Sequence, residues 1–197
     1  MLAFGGARPV AAQADPREVR LRNDCPLAEQ VLRTGEPAPK HAWAVGIIGA
    51  CPQAGEVLGG LVLALRQSDD TVALEGLLDD VQGYQAPELW GAALQVASDP
   101  RAATLARVYA FHILLDDLGL SLIVINRDLM HAPPYGACAF GKVHGLPALA
   151  GPALPPDYVQ RTLSAAQSAL ADPSTPGVVR SAAGCTRVYS RIKLGIR

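Results

Sequence analysis

The sequence predicts an all-α protein in which short helices stack on one another. Between residues 57 and 118, apolar residues recur at spacings of three and four, which favours helices because a strand would give a spacing of two. Half of the residues are hydrophobic and 18% are charged, so we expect a packed core and not a disordered chain. Aromatic residues make up only 5%, and the Ala, Leu and Val that supply the apolar mass suit closely packed helices.

The first elements are a polar helix and a buried apolar segment. Residues 17–34 predict a helix, or a turn followed by a helix, that Asp24 could cap. Residues 41–51 are apolar almost all round, which predicts burial. Gly46 and Gly49 would weaken this segment as a helix by about 1 kcal/mol each relative to Ala, unless they mark a close contact between helices.

Four short helices follow, and polar breaks separate them. Their apolar stripes occupy residues 57–65, 74–81, 89–97 and 105–118. Asp70 and Asp99 can accept hydrogen bonds from the N–H groups of a first helical turn, and Pro100 fits the first helical position. Each helix is too short to be stable alone, so its stability must come from packing against neighbours.

The remainder of the chain combines an irregular stretch with two more helices. Residues 121–130 are β-branched, but a strand would have no partner in a chain without other strands, so we expect a helix. Residues 131–157 contain six Pro and four Gly and predict a long loop, which in a compact domain is often functional or a linker. Helical periodicity returns over residues 158–171 and 177–192, and the last stripe includes Ile192.

The N-terminus has features of an export signal. Residues 1–14 end in Ala12-Gln13-Ala14, a small-x-small tripeptide of the kind that signal peptidase accepts. The apolar part is short and no positive segment precedes it, so we interpret it as a truncated signal peptide, with an Ala/Gly-rich tail as the alternative. We therefore expect an exported protein, either periplasmic or extracellular, with a cytoplasmic location as the alternative. We expect one domain over residues 15–197.

The question of export also depends on the four cysteines, Cys25, Cys51, Cys138 and Cys185. None forms a C-x-x-C pair, which argues against clustered zinc and thioredoxin-like motifs. Of the three connectivities, we expect Cys25–Cys51 and Cys138–Cys185, because each pair brackets a local helix-loop-helix unit near one end of the chain. Disulfides suit an exported protein, whereas in a cytosol the same residues would be small buried hydrophobes.

Short phrases at two inter-helix breaks are similar to each other. Residues 98–103 read SDPRAA, residues 172–183 read DPSTPGVVRSAA, and residues 68–73 (SDDTVA) are a weaker third copy. They resemble the turn and second-helix start of HEAT-type repeats. The resemblance, over residues 41–118 and 158–194, implies a short α-solenoid of stacked antiparallel helix pairs that serves as an interaction scaffold. It brings no catalytic residues, and the loop at 131–157 departs from its pattern.

Few residues are candidates for chemistry. His131, Cys138 and His144 could converge on a metal such as zinc, but their spacing matches no standard site and a fourth ligand is not evident. The simpler interpretation is a solvated loop with a structural cysteine. His112 and Asp116 share a helical face and could hold a metal or orient a base, although a core-edge histidine bonded to a carboxylate is the simpler interpretation.

Other charged and aromatic residues have structural explanations. Two acidic pairs, at residues 79–80 and 116–117, could offer carboxylates to a cation but are interpreted as solvated helix ends. Trp43 and Trp90 are expected to fill the core. The basic residues between 187 and 197 are interpreted as a soluble, frayed end.

These observations favour a protein without a reactive centre. A net charge of −1 and a pI near 6.4 do not indicate nucleic-acid binding, and no apolar run reaches the length of a membrane span. No phosphate-binding loop or hydrolase motif is present. We predict no catalytic residue and no cofactor, and a scaffold that binds a protein partner. The alternatives are a small metal-dependent hydrolase or metal-binding protein using the His131–His144 loop, and a structural cell-envelope protein.

Overall fold

The computed structural model describes residues 16–34, 44, 47–49, 51–81, 84–117, 120–121, 141–142 and 154–196. These residues form seven helices and one two-stranded ladder, which confirms the prediction of an all-α protein in its essentials. The elements are α1 Pro16–Thr34, α2 Ala54–Ala64, α3 Thr71–Val81, α4 Pro87–Ser98, α5 Thr104–Asp117, β1 Leu120–Ser121, β2 Gly141–Lys142, α6 Tyr158–Ala171 and α7 Gly177–Lys193.

Helices that are two apart in the chain stack on each other. In one row α2 packs against α4 and α4 against α6, and in a second row α3 packs against α5 and α5 against α7. The rows are joined within consecutive pairs, most extensively between α6 and α7. The starts of α2 and α4, Ala54 and Pro87, are 33 residues apart, as are the starts of α3 and α5, Thr71 and Thr104. The next pair starts later because residues 118–157 intervene.

The core is continuous from α1 to α7 and consists mainly of Ala, Leu and Val. Helix α5 lies at its centre, between α3 and α7 and against α4. Every residue from 106 to 115 is therefore buried, including the polar Arg107 and His112. Residues 44, 47–49 and 51 are buried too, as the apolar composition of residues 41–51 predicts.

Glycines allow α2 and α4 to approach closely. A Cβ atom at Gly59 would lie 2.8 Å from the carbonyl oxygen of Glu88, and one at Gly55 would lie 2.8 Å from the Cβ of Ala86. A Cβ at Gly49 would overlap the Tyr84 ring. Gly49 thus marks a close contact, although its neighbour Tyr84 lies in the connection before α4 and not in a helix.

The two predicted aspartate caps behave differently. Asp70 Oδ1 accepts hydrogen bonds from the N–H groups of Val72 and Ala73, at 2.9 and 3.4 Å, and caps α3 as predicted. Asp99 Oδ1 instead accepts a hydrogen bond from the N–H of Arg101 at 2.9 Å, inside its own turn. Helix α5 therefore begins only at Thr104, and the prediction that Pro100 is its first residue is wrong.

Two further predictions are wrong in their boundaries. Helix α1 begins at Pro16 and continues through Pro26, so Asp24 lies inside the helix and does not cap its start. Ser121 belongs to β1 and pairs with Gly141 of β2 in an antiparallel ladder, although a helix was expected from residue 121 onward. The expectation failed because it assumed that no partner strand existed. Residues 122–130 lie outside the described part of the chain.

The predicted signal peptide at residues 1–14 and most of the predicted loop at 131–157 also fall outside the described residues. Among the helices described, none is long and apolar enough to cross a membrane.

Candidate interaction surface

The turns that connect paired helices lie side by side and are joined by hydrogen bonds. The N–H of Ala103 donates to the carbonyl oxygen of Arg66 at 2.9 Å, and Gln67 Nε2 donates to the carbonyl oxygen of Arg101 at 3.2 Å. The N–H of Leu105 donates to Asp69 Oδ1 at 3.1 Å. Asp69 therefore caps a helix of the following pair, which fixes the register between the first two pairs.

A buried arginine of the second pair lies near the turn of the third pair. Arg107 is 5% exposed, and its Nε donates to the carbonyl oxygen of Ala97 at 3.3 Å. Burial lowers the pKa of Arg107, and the nearby carboxylates of Asp172 and Asp99 act in the opposite direction. Since an arginine keeps its charge in proteins and a buried charge is costly unless it is paired, these two turn aspartates compensate Arg107.

The third turn is ordered by its own aspartate. Asp172 Oδ1 accepts hydrogen bonds from Ser174 Oγ and the Ser174 N–H, at 2.7 and 2.8 Å. These bonds are the main reason why the pKa of Asp172 is lowered, and Arg107 contributes to the same shift. In sequence, Arg107 follows Asp99 by eight residues and Arg180 follows Asp172 by eight, so α5 and α7 carry equivalent arginines.

The other row of helices is joined by an aromatic contact. Trp90 on α4 is 2% exposed, and its Nε1 donates to Thr162 Oγ1 on α6 at 3.2 Å. The Arg161 guanidinium lies 4.7 Å from the centroid of the Trp90 ring, within cation–π distance. Trp90 thus belongs to the core, as predicted, whereas Trp43 lies outside the described residues.

Exposed apolar side chains are concentrated at the C-terminal end of the stack. Among the described residues six large hydrophobic side chains are exposed, and four of them lie between residues 188 and 196. We call these four the C-terminal edge: Val188, Ile192, Leu194 and Ile196, with exposed fractions of 42%, 62%, 37% and 46%. Ile192 was predicted to face the core, and the structure shows that this prediction is wrong.

The C-terminal edge is held in a defined conformation. Gly195 adopts φ +67°, a left-handed conformation that costs glycine little. The N–H of Ile196 donates to the carbonyl oxygen of Arg191 at 2.9 Å, and the N–H of Gly195 donates to that of Ile192 at 3.1 Å. This pair of bonds is a Schellman motif. The prediction of a frayed end is therefore wrong as far as Ile196, and Gly195 was the sequence signal that could have shown it.

Basic side chains lie beside the C-terminal edge. Arg180, Arg187 and Arg191 are spaced by seven and four residues and share one face of α7. All three are partly exposed. Lys193 lies 5.9 Å from the Tyr189 ring centroid. Helix α7 contains no acidic residue, so this end of the stack combines aliphatic and cationic groups.

His112 is a core residue in this structure. It is 7% exposed, lies 6.0 Å from the Tyr109 ring, and its Nδ1 has no hydrogen-bond partner among the described residues. Burial alone lowers the pKa of His112 from 6.5 to about 4, so the ring is neutral at pH 7. The predicted carboxylate partner, Asp116, has a side chain outside the described set.

The cysteines in the described part of the chain are disulfide-bonded. Cys25 of α1 is bonded to Cys51, with Cα atoms 5.9 Å apart, which is the pairing that the sequence favoured. Cys185 on α7 is disulfide-bonded as well; its predicted partner, Cys138, lies outside the described residues. The covalent link at Cys25–Cys51 ties α1 to the segment that precedes α2.

The candidate metal ligands cannot be placed, because they lie outside the described residues. His131, Cys138 and His144 lie outside the described residues, as do the side chains of residues 79–80 and 116–117. In the part of the chain that is described, no group of three or more His, Cys, Asp or Glu side chains could hold a metal ion. Comparisons of the chain with protein-family models, curated proteins and solved structures find no match.

Proposed function

We propose that this chain is a non-catalytic interaction scaffold, a short α-solenoid of HEAT-like helix pairs. Its C-terminal edge is the docking surface for another protein. The observation that carries this proposal is the concentration of exposed aliphatic side chains at 188–196, on one end of an otherwise well-packed stack.

The solenoid part of the proposal is supported by the pattern of contacts. Each helix packs against its own partner and against the equivalent helix of the neighbouring pair, which is the organisation of a quasi-one-dimensional stack. A hydrogen bond to Asp69 links the first turn to α5 of the next pair, and a hydrogen bond from Arg107 links α5 to α4 within its own pair. The insertion at 118–157 lengthens one connection without separating α5 from α7.

The docking part is supported by the contrast between the two helices of the last pair. On α6 the exposed side chains are polar or small, among them Gln160, Ser164 and Gln167, as expected for a terminal repeat that only has to remain soluble. On α7, Val188 and Ile192 are exposed instead. Clustered exposed hydrophobic residues mark interaction sites, and arginines, which flank them here, are enriched at protein interfaces.

We also propose an oxidising, exported location. The Cys25–Cys51 bond and the disulfide-bonded Cys185 support it, because disulfides persist in exported proteins and are rare in a reducing cytosol. Thiol counting under denaturing conditions, on protein taken from its native compartment, tests the location. We expect no free thiol, and four free thiols would contradict it.

In-cell cross-linking tests the docking surface. A photo-crosslinking amino acid at Val188 or Ile192 is expected to trap a protein in the source cell envelope. Gln167, exposed on α6, is the matched control and is expected to give no discrete product. Absence of any product from the two edge positions, or the same products from Gln167, would contradict the proposal.

A further inference from the structure

The two ends of the second row of helices carry opposite charge. Residues 68–81, which include α3, contain five acidic residues and no Lys or Arg. Helix α7, at the other end of the row formed by α3, α5 and α7, contains four basic residues and no acidic one. The net charge of −1 for the whole chain conceals this separation.

The acidic end also exposes an aliphatic side chain. Val72 on α3 is 79% exposed, the highest value among the exposed large hydrophobic residues of the described chain. Asp69, Asp70 and Glu75 are exposed around it. We call this set of four residues the acidic face. Arg180, Arg187, Val188, Arg191 and Ile192 form the basic face of α7.

The acidic face lies beside a helical glycine with no described contact. A Cβ atom at Gly76 would have no neighbour within 4 Å among the described residues, and Gly76 is four residues from Val72. Alanine there would favour the helix by about 1 kcal/mol. Gly59 shows how a helical glycine lets a second helix approach within this chain. On α7, Gly184 is four residues from Val188 and is itself buried.

The contacts of Arg107 suggest what the basic face is suited to bind. Arg107 on α5 interacts with Asp172, which belongs to the turn of the next helix pair. Arg180 holds the equivalent position on α7, and the described chain contains no further turn beyond α7. The first turn of the stack carries exposed carboxylates at Asp69 and Asp70.

We propose that two copies of this chain associate head to tail, with the basic face of one copy against the acidic face of the next. The inference deepens the proposed function, on which it rests, because it names a second copy as the protein that occupies the C-terminal edge. Such a contact joins two different surfaces, so it can repeat and produce assemblies larger than a dimer. Its charged groups lie at the surface, so salt should weaken it.

Sedimentation velocity of the full, disulfide-bonded chain tests the inference. The wild type is expected to gain mass with concentration at low ionic strength and to lose that mass at high salt. Arg187→Glu and Glu75→Arg, each alone, are expected to weaken association by at least about tenfold, because each places like charges opposite each other. Glu56→Arg, an exposed change on α2, is the control and should associate like the wild type.

Mixing the two charge-reversed variants is the decisive step. In a mixture of the R187E and E75R proteins, the intact acidic face of the first meets the intact basic face of the second, and the two altered positions also carry opposite charges. The mixture should therefore recover the association that neither variant shows alone. Unchanged thermal melting of each variant would show that both are folded.

Three results would overturn the inference: a wild type that stays monomeric, variants that associate like the wild type, or a mixture that stays monomeric. The proposed function fails separately. If the wild type is monomeric but Val188 and Ile192 cross-link to a different protein, the docking surface stands and only the identity of its occupant is wrong.

Discussion

Helices α5 and α7 occupy equivalent places in successive pairs, yet one is buried all round and the other is open on one side. Aligning Asp99 with Asp172 places Leu115 at the position of Val188. Leu115 is fully buried and Val188 is 42% exposed. The difference arises because α5 has α7 as a neighbour, whereas no described helix follows α7. Exposure along α7 thus marks a surface on which a further helix would pack in a longer stack.

The largest expected difference in stability cost between α5 and α7 is at the aligned positions Leu115 and Val188. Leu115→Ala should destabilise the protein by about 3 kcal/mol, because it removes buried methyl groups and leaves a cavity. Val188→Ala should change stability by less than about 0.5 kcal/mol. Urea unfolding of both variants measures this, and similar losses at the two positions would show that the edge is covered within the chain.

His112, on the buried helix α5, should make the stability of the folded protein depend on pH. Its folded pKa of about 4 lies below the unfolded value of 6.5, so the unfolded state binds a proton first as the pH falls. Stability should be unaffected above pH 6.5 and should decline towards pH 4 by about 3 kcal/mol. His112→Phe should abolish this part of the pH dependence. Parallel stability curves for variant and wild type between pH 7 and 4 would contradict the assignment.

Arg107 and Arg180 occupy equivalent positions on α5 and α7, and removing the buried Arg107 should cost more stability than removing Arg180. Arg107→Ala should cost about 2 kcal/mol, because it removes a buried hydrogen bond and the packing of the aliphatic stem. Arg180→Ala, partly exposed on α7, should cost less than about 0.5 kcal/mol. Chemical denaturation at matched ionic strength compares them. Equal costs would mean that Arg180 is already paired within the chain.

Two helical glycines give a contrast in the sign of the stability change. Gly59→Ala should destabilise by about 1–3 kcal/mol, because the added Cβ would lie 2.8 Å from the Glu88 carbonyl oxygen. Gly76→Ala adds a Cβ that would meet no described atom within 4 Å and should stabilise the helix by up to about 1 kcal/mol. Thermal melting in dilute protein distinguishes the two variants. A destabilised Gly76→Ala variant would indicate that this glycine is needed within the chain.

Local patterns predicted the helices well and their surroundings less well. The bounds of α6 followed from periodicity between proline-containing breaks, and Asp70 capped α3 as expected. The start of α5 was missed because Asp99 bonds within its own turn. The β1–β2 ladder was missed because the two strands are distant from each other in sequence.

The candidate surface was the least predictable part. Ile192 falls on the helical spacing that predicts a core stripe, and only the absence of a following helix among the described residues leaves it exposed. Periodicity identifies an apolar face but does not say which neighbour covers it. The Asp-to-Arg spacing of eight residues was present in the sequence, but only the fold shows that Arg107 lies near the carboxylate of Asp172.

The most direct test of the account is cross-linking from Ile192 in the source cell, compared with Gln167 of α6. The account predicts a discrete protein adduct from Ile192 and none from Gln167, because the aliphatic and basic side of α7 is a contact surface and the polar side of α6 is not. An adduct from Gln167 alone, or none from either position, would contradict it.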